Sequence, residues 1–217
     1  NVEIEFENIE EKKLVVEMLK KLLDDRENSL VHMIRQRQMC IVPSVLNRNI
    51  KEIYNVNDEI FEKATTTKSK INKVVEKIYE NRNNNKGKII FCHFKKEIDT
   101  IKSELVKKGC HEDYILKIDG RLNTKKKNKI FSQQDGNKIL IMQIQSCSEG
   151  LNLQMFSEVY FVSPHWNPCV EEQAIARCHR LGQRQEVHVY KFKMKHTIEE
   201  YILGVQNVKL DLRKELF

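Results

Sequence analysis

The chain has 217 residues, of which 40% are hydrophobic, and its 38 Lys and Arg outnumber 31 Asp and Glu for a formal charge of +7. That length suits one large domain or two small ones, and the apolar share supplies a core, which excludes a mainly disordered chain. Apolar runs such as Ile139–Met142 fall far short of the roughly 20 residues that cross a bilayer, which excludes a transmembrane helix, and no signal peptide opens the chain.

All seven glycines lie at or after Gly87, so residues 1–86 lack the residue that tight turns prefer and read as helical. Over Glu10–Asp25 the residues Leu14, Val15, Met18, Leu19, Leu22 and Leu23 form one helical stripe. A second helix is predicted over Ser29–Cys40, stopping before Pro43. A third is predicted from about Thr67 to Tyr79, with a threonine cap before it. The polar tract Asn81–Lys88 reads as an exposed loop and a boundary, dividing the chain into 1–86 and 87–217.

Beyond it, short apolar runs alternate with helical segments. Strands are predicted over Ile89–Phe94, Tyr114–Ile118, Ile139–Gln145, Glu158–Ser163 and Val187–Phe192. Helices are predicted over Lys96–Lys108 (ended by Gly109), Thr124–Gln133, Glu171–Arg180 and Thr197–Leu216. This alternation means an α/β fold, a parallel sheet with helices on both faces, preceded by a helical extension. Ligands on such sheets gather beyond the carboxyl ends of the strands.

The six cysteines, Cys40, Cys92, Cys110, Cys147, Cys169 and Cys178, form no CxxC pair. Three precede a histidine, but adjacent residues on a strand point to opposite faces, so no metal site is expected and buried reduced thiols fit better. Two basic clusters occur, one at Lys117, Arg121, Lys125, Lys126, Lys127 and Lys129, the other at Arg177, Arg180, Arg184, Lys191, Lys193 and Lys195. Charge alone leaves a solvated face and nucleic-acid binding both open.

Gln173, Arg177 and Arg180 are spaced to share one face of a helix, and a Leu-Gly-Gln stop follows them. Two rigid guanidinium forks suit an anion whose charge grows in a transition state, above all a γ-phosphoryl group. Ordinary surface arginines are the competing explanation.

The segment QAIARCHRLGQ (Gln173–Gln183) resembles motif VI of the Swi/Snf-type DNA translocases among the superfamily-two helicases. SEGLNLQ (Ser148–Gln154) resembles motif V, and KIIFCHF (Lys88–Phe94) is similar to motif IV. IDGRLN (Ile118–Asn123) and PHWNP (Pro164–Pro168) resemble the family's intervening segments, in the same order. The RCHRLGQ wording, with MIRQRQMCIVPSVL (Met33–Leu46), is most similar to the helicase-like transcription factor subgroup.

The resemblance implies a RecA-like second lobe of an ATP-dependent double-stranded DNA translocase. It implies Arg177 and Arg180 as arginine fingers, with Gln173 positioning them and the attacking water. Gly150, Asn152 and Gln183 would lie on the ATP side. Phe94, Lys95, Arg121, Ser146, Trp166, Lys125, Lys126 and Lys127 would contact DNA. No GxxxxGK[ST] loop occurs, so ATP and Mg2+ would be held mainly by a first RecA-like lobe of the same polypeptide, outside this chain. The start at Asn1 rather than Met fits a piece of a longer protein, inactive toward ATP by itself, with Asn1–Leu46 as the first lobe's tail and the linker. Glu149, where relatives are glycine-rich, is electrostatically unwelcome beside phosphate, and Ala176 replaces a common Gly or Asp. Chromatin or repair proteins are the further partners implied, with no membrane. The location implied is the nucleus, or a viral or cytoplasmic one if the source is a large DNA virus. The alternative reading is a non-catalytic DNA- or protein-binding module that retains the fold.

Overall fold

A computed structural model describes residues 1–47, 49–120, 125, 138–149 and 151–216. Its elements, in chain order, begin with β1 (Val2–Ile4), α1 (Ile9–Asp24), α2 (Ser29–Ile41), α3 (Asn49–Ile53), α4 (Asp58–Thr66) and α5 (Ser69–Glu80). There follow β2 (Gly87–Cys92), α6 (Lys95–Lys107), β3 (Ile115–Ile118), β4 (Ile139–Gln143) and β5 (Phe156–Phe161). The chain closes with α7 (Pro168–Cys178), β6 (His188–Met194) and α8 (Ile198–Leu216).

The strands form one six-stranded parallel sheet in the order β1-β6-β5-β2-β4-β3. Central strands β2 and β5 are buried along their whole length, as strands covered on both faces must be. Alternate residues divide between two layers. Ile90, Cys92, Ile141, Tyr160 and Phe192 pack with residues of α2, α5, α6 and α8, among them Ile41, Val74, Ile98 and Ile202. Ile89, Phe91, Leu140, Met142, Val159 and Phe161 pack with Ala174 and Cys178 of α7. A third cluster joins α1, α2 and α4 through Leu14, Met18, Met39 and Phe61. The end of α6 is as expected: Gly109 takes a φ of +99°, and Gly109 and Cys110 donate back to Val106 and Leu105 at 2.9 and 3.0 Å.

Four local expectations are corrected. Residues 1–86 are not wholly helical, because β1 pairs in parallel with β6, Val2 opposite Phe192, and Ile4 enters the sheet's core. Two further helices, α3 and α4, precede α5. Thr67 does not cap α5; its hydroxyl donates to the Ala64 carbonyl at 2.8 Å, ending α4, and Lys68 takes the cap position without a side-chain bond. Helix α7 starts at Pro168, capped by Asn167 Oδ1 accepting from the Cys169 N–H at 3.1 Å, and ends at Cys178, short of Arg180. The helix predicted over Thr124–Gln133 lies outside the described residues, Lys125 excepted, which is exposed. Among the described residues no helix is long and apolar enough to cross a membrane, and no group of three or more His, Cys, Asp or Glu could hold a metal ion.

Candidate functional site

The expected site residues divide between two ends of the sheet. Arg177 lies in the last turn of α7, half-buried, and Gln173 is exposed one turn earlier. His179 then leaves the helical conformation with ψ of 84°, so Arg180 stands on the turn that follows rather than on the helix. The Gln183 N–H donates to the Arg180 carbonyl at 2.9 Å, and Gly182 supplies the left-handed φ of +103° that this turn requires. The two arginines therefore do not share a helical face, a correction to the sequence reading.

That turn is fastened to the segment preceding β5. The Gln154 side chain donates to the Leu181 carbonyl at 2.5 Å, and the Gln183 amide donates to the carbonyls of Gln154 and Cys178 at 2.6 and 3.2 Å. The Leu153 N–H donates to the Arg177 carbonyl at 3.2 Å. Asn152 is exposed and its Oδ1 accepts the Gln154 N–H at 3.2 Å. Gln183 Oε1 accepts the Gln185 N–H at 2.9 Å, so this side chain braces the turn at both ends. Because β5 starts at Phe156, the group of Asn152, Arg177, Arg180 and Gln183 gathers at the amino end of that strand, not at its carboxyl end. Neither guanidinium has a partner among the described residues.

Phe94, Lys95, Ser146 and Trp166 follow the carboxyl ends of β2, β4 and β5, which are neighbours in the sheet. The Gln143 amide donates to the His93 carbonyl at 3.1 Å, and His93 Nε2 bonds the Ser163 carbonyl at 3.2 Å, linking the three strand ends. A carbonyl oxygen only accepts, so Nε2 carries the proton. Burial, then the Arg37 charge, holds His93 well below its ordinary pKa and hence neutral. Phe94 is half-buried against the core, while Lys95 is exposed. A lysine in the first helical turn opposes the helix dipole, so its charge does not serve the helix. Ser146 is 9% exposed, tucked into the turn after β4. Trp166 is half-buried and meets the Tyr201 ring edge-on, centroids 6.2 Å apart. Arg121, Lys126, Lys127 and Gly150 lie outside the described residues.

Sequence reasoning missed the polar residues beneath this surface. Glu97 Oε2 accepts the backbone N–H groups of His93 and Phe94 at 2.8 and 3.0 Å, and burial pushes its carboxyl up to about 7. Arg37, 8% exposed on α2, donates to the Pro164 carbonyl at 3.1 Å. The signal was the core spacing of Gln36, Arg37 and Cys40 within MIRQRQMC, where buried polar groups recur on a helix.

A family model described as the helicase conserved C-terminal domain matches residues 69–182. A SWI/SNF-related matrix-associated actin-dependent regulator of chromatin subfamily A member 3-like protein of Arabidopsis thaliana is 32% identical over 162 residues, 71% of this chain and 18% of that one. The DNA repair protein RAD5 of Candida albicans is 38% identical over 149 residues, covering 65% of this chain and 14% of the relative. The helicase-like transcription factor of Mus musculus is 32% identical over 156 residues, 69% and 15% of the two chains. The chain therefore spans less than a fifth of the length of these relatives. The crystal structure of the C-terminal part of the Fun30 ATPase domain aligns with a TM-score of 0.71, covering 94% of this chain and 88% of that one at 16% identity, a likeness of fold.

Proposed function

The chain belongs to the helicase conserved C-terminal domain family, with Swi/Snf-type relatives, and from that membership we propose that it is the second motor lobe of an ATP-dependent double-stranded DNA translocase. The observation that carries this reading is that Arg177 and Arg180, without a side-chain partner among the described residues, stand at a turn braced by Gln154 and Gln183 at the amino end of β5, away from the surface that bears Lys95 and Trp166. ATP with Mg2+ would supply a γ-phosphoryl group whose charge spreads over its oxygens during transfer to water. Arg177 and Arg180 would reach that charge from this lobe, and Gln173 would orient the guanidinia and the attacking water. Asn152 and Gly150 would border the nucleotide. The phosphate loop and the metal-binding carboxylates would come from a first lobe of the same polypeptide. Lys95, Phe94, Ser146 and Trp166, with Arg121, Lys125, Lys126 and Lys127, would follow the DNA backbone. Contacts to phosphate and sugar suit a motor that must pass over any sequence. Relatives named for DNA repair and chromatin regulation favour a nuclear role beside repair or chromatin proteins.

The test uses the two-lobe protein. Arg180→Ala is expected to cut DNA-stimulated ATP turnover by roughly 10³-fold, the loss typical of an arginine finger. Arg180→Lys should recover little, because an ammonium lacks the planar two-pronged donor. Full turnover in Arg180→Ala would overturn the finger assignment, and a parent two-lobe protein without DNA-stimulated turnover would favour the non-catalytic binding module instead.

A further inference from the structure

The loop between β5 and α7 is held more firmly than its length demands. Four consecutive carbonyls each accept a side-chain hydrogen bond from outside the loop. His93, after β2, donates to Ser163 at 3.2 Å, and Arg37 of α2 donates to Pro164 at 3.1 Å. Gln206 and Lys209, one turn apart on α8, donate to His165 at 2.5 Å and to Trp166 at 3.1 Å. Gln206 also donates to Glu171 Oε1 at 2.9 Å, and the same oxygen accepts the His165 N–H at 2.8 Å. Solvent would satisfy an exposed carbonyl equally well, so Lys209 contributes geometry rather than satisfaction. Arg37 is a costly donor, since its Nε has no partner among the described residues and burial pulls its pKa down. The last of these four residues is Trp166, whose ring also meets Tyr201 of α8 edge-on.

We propose that Arg37, Gln206 and Lys209 are positioning residues that hold Trp166 in one pose for contact with the DNA backbone and tie that pose to α2 and α8. The proposal rests on the DNA-contact reading of Trp166 given above. Ordering the loop during folding removes an entropy cost from binding, which is how preorganisation raises affinity. The tie also has a mechanical consequence. Arg37 lies between β1 and β2, some 50 residues before β2, so a displacement of α2 withdraws a donor directly from the loop that bears Trp166.

Trp166 is the sole tryptophan of the chain, so its fluorescence reports the loop without ambiguity. In the 217-residue chain, Arg37→Lys, Gln206→Leu and Lys209→Met should each red-shift the emission and increase quenching by acrylamide. Affinity for a short duplex should fall by up to about tenfold, within the loss caused by removing an aromatic platform. The slope of log affinity against log salt should stay unchanged in Gln206→Leu, since a lost phosphate contact would lower it by about 0.9. Lys209 is exposed, so Lys209→Met keeps its urea midpoint and serves if Arg37→Lys fails to fold. Emission and quenching identical to the parent in Gln206→Leu and Lys209→Met would overturn the proposal. Altered fluorescence in Gln206→Leu and Lys209→Met with their duplex affinity intact would also overturn it, and intact affinity in Trp166→Ala as well would trace the failure to the DNA reading of Trp166.

Discussion

Glu97 meets two opposing demands at the start of α6. Its carboxylate organises the first turn by accepting two backbone N–H groups, yet burial raises its pKa to about 7 against the pull of those bonds, Lys70 and Arg37. The folded state therefore keeps a proton that the unfolded chain releases near the ordinary 4.5. Stability from this group is fully present below that value and is lost as pH rises through about 7, by a few kcal/mol at roughly 1.4 kcal/mol per unit. His93 runs the other way: burial keeps it neutral in the fold, so its contribution falls as pH drops below 6.5. Glu97→Gln isolates the first effect. Urea unfolding free energies should show the variant gaining on the parent between about pH 4.5 and 7. A constant difference across that window would mean that Glu97 is ionised throughout. Nothing in KKEIDT advertised this role, because a glutamate three residues into a helix reads as an ordinary surface cap. Arg177 and Gln183 were legible through their motif spacing; Arg37 and Glu97 were not, since their burial comes from elements distant in sequence.

At the scale of elements, α5 and α8 are joined by a fully buried ion pair. Lys70 bonds both carboxylate oxygens of Glu199, and Glu199 also accepts the Met194 N–H of β6 at 2.8 Å. Removing one partner leaves an uncompensated charge in the core, so Lys70→Met should lower the unfolding free energy by about 3–5 kcal/mol. Adding Glu199→Gln removes the stranded charge and keeps the acceptor for Met194, so the double variant should recover most of the loss. Equal losses in single and double variants by urea titration would place the cost in packing instead. Strands β2 to β6 were legible because each carries a short apolar stretch between turn or helix signals, continuous in Ile139–Met142 of β4 and interrupted by Lys191 and Lys193 in β6. β1 was not, because three residues carry no period and Val2–Ile4 becomes a strand only through the edge that β6 offers. The end of α7 was misplaced for a related reason. Two arginines three apart fit one helical face, but the His179 conformation ends the helix before Arg180, which the Gly182 turn then carries.

For the whole molecule, the separation of the two candidate surfaces is what makes the motor reading testable. The arginines gather at the amino end of β5, while Lys95, Phe94 and Trp166 follow the carboxyl ends of β2 and β5. If DNA runs over the carboxyl-end surface, binding by the 217-residue chain should be indifferent to sequence and fall steeply with salt. Lys95 and Lys96 are both exposed in the first turn of α6, where the helix dipole disfavours cations and a phosphate would be welcomed. Replacing both with alanine should therefore lower the salt slope by roughly 1–2, at about 0.9 per phosphate contact, and could slightly stabilise the fold. Arg180→Ala should leave that slope intact and change duplex affinity by less than about tenfold. Fluorescence anisotropy across a salt series, with a scrambled duplex of equal length, reads all three quantities. If the slope instead follows Arg180 and ignores Lys95 and Lys96, DNA lies across the amino end of the sheet, and the assignment of Arg177 and Arg180 to ATP is wrong.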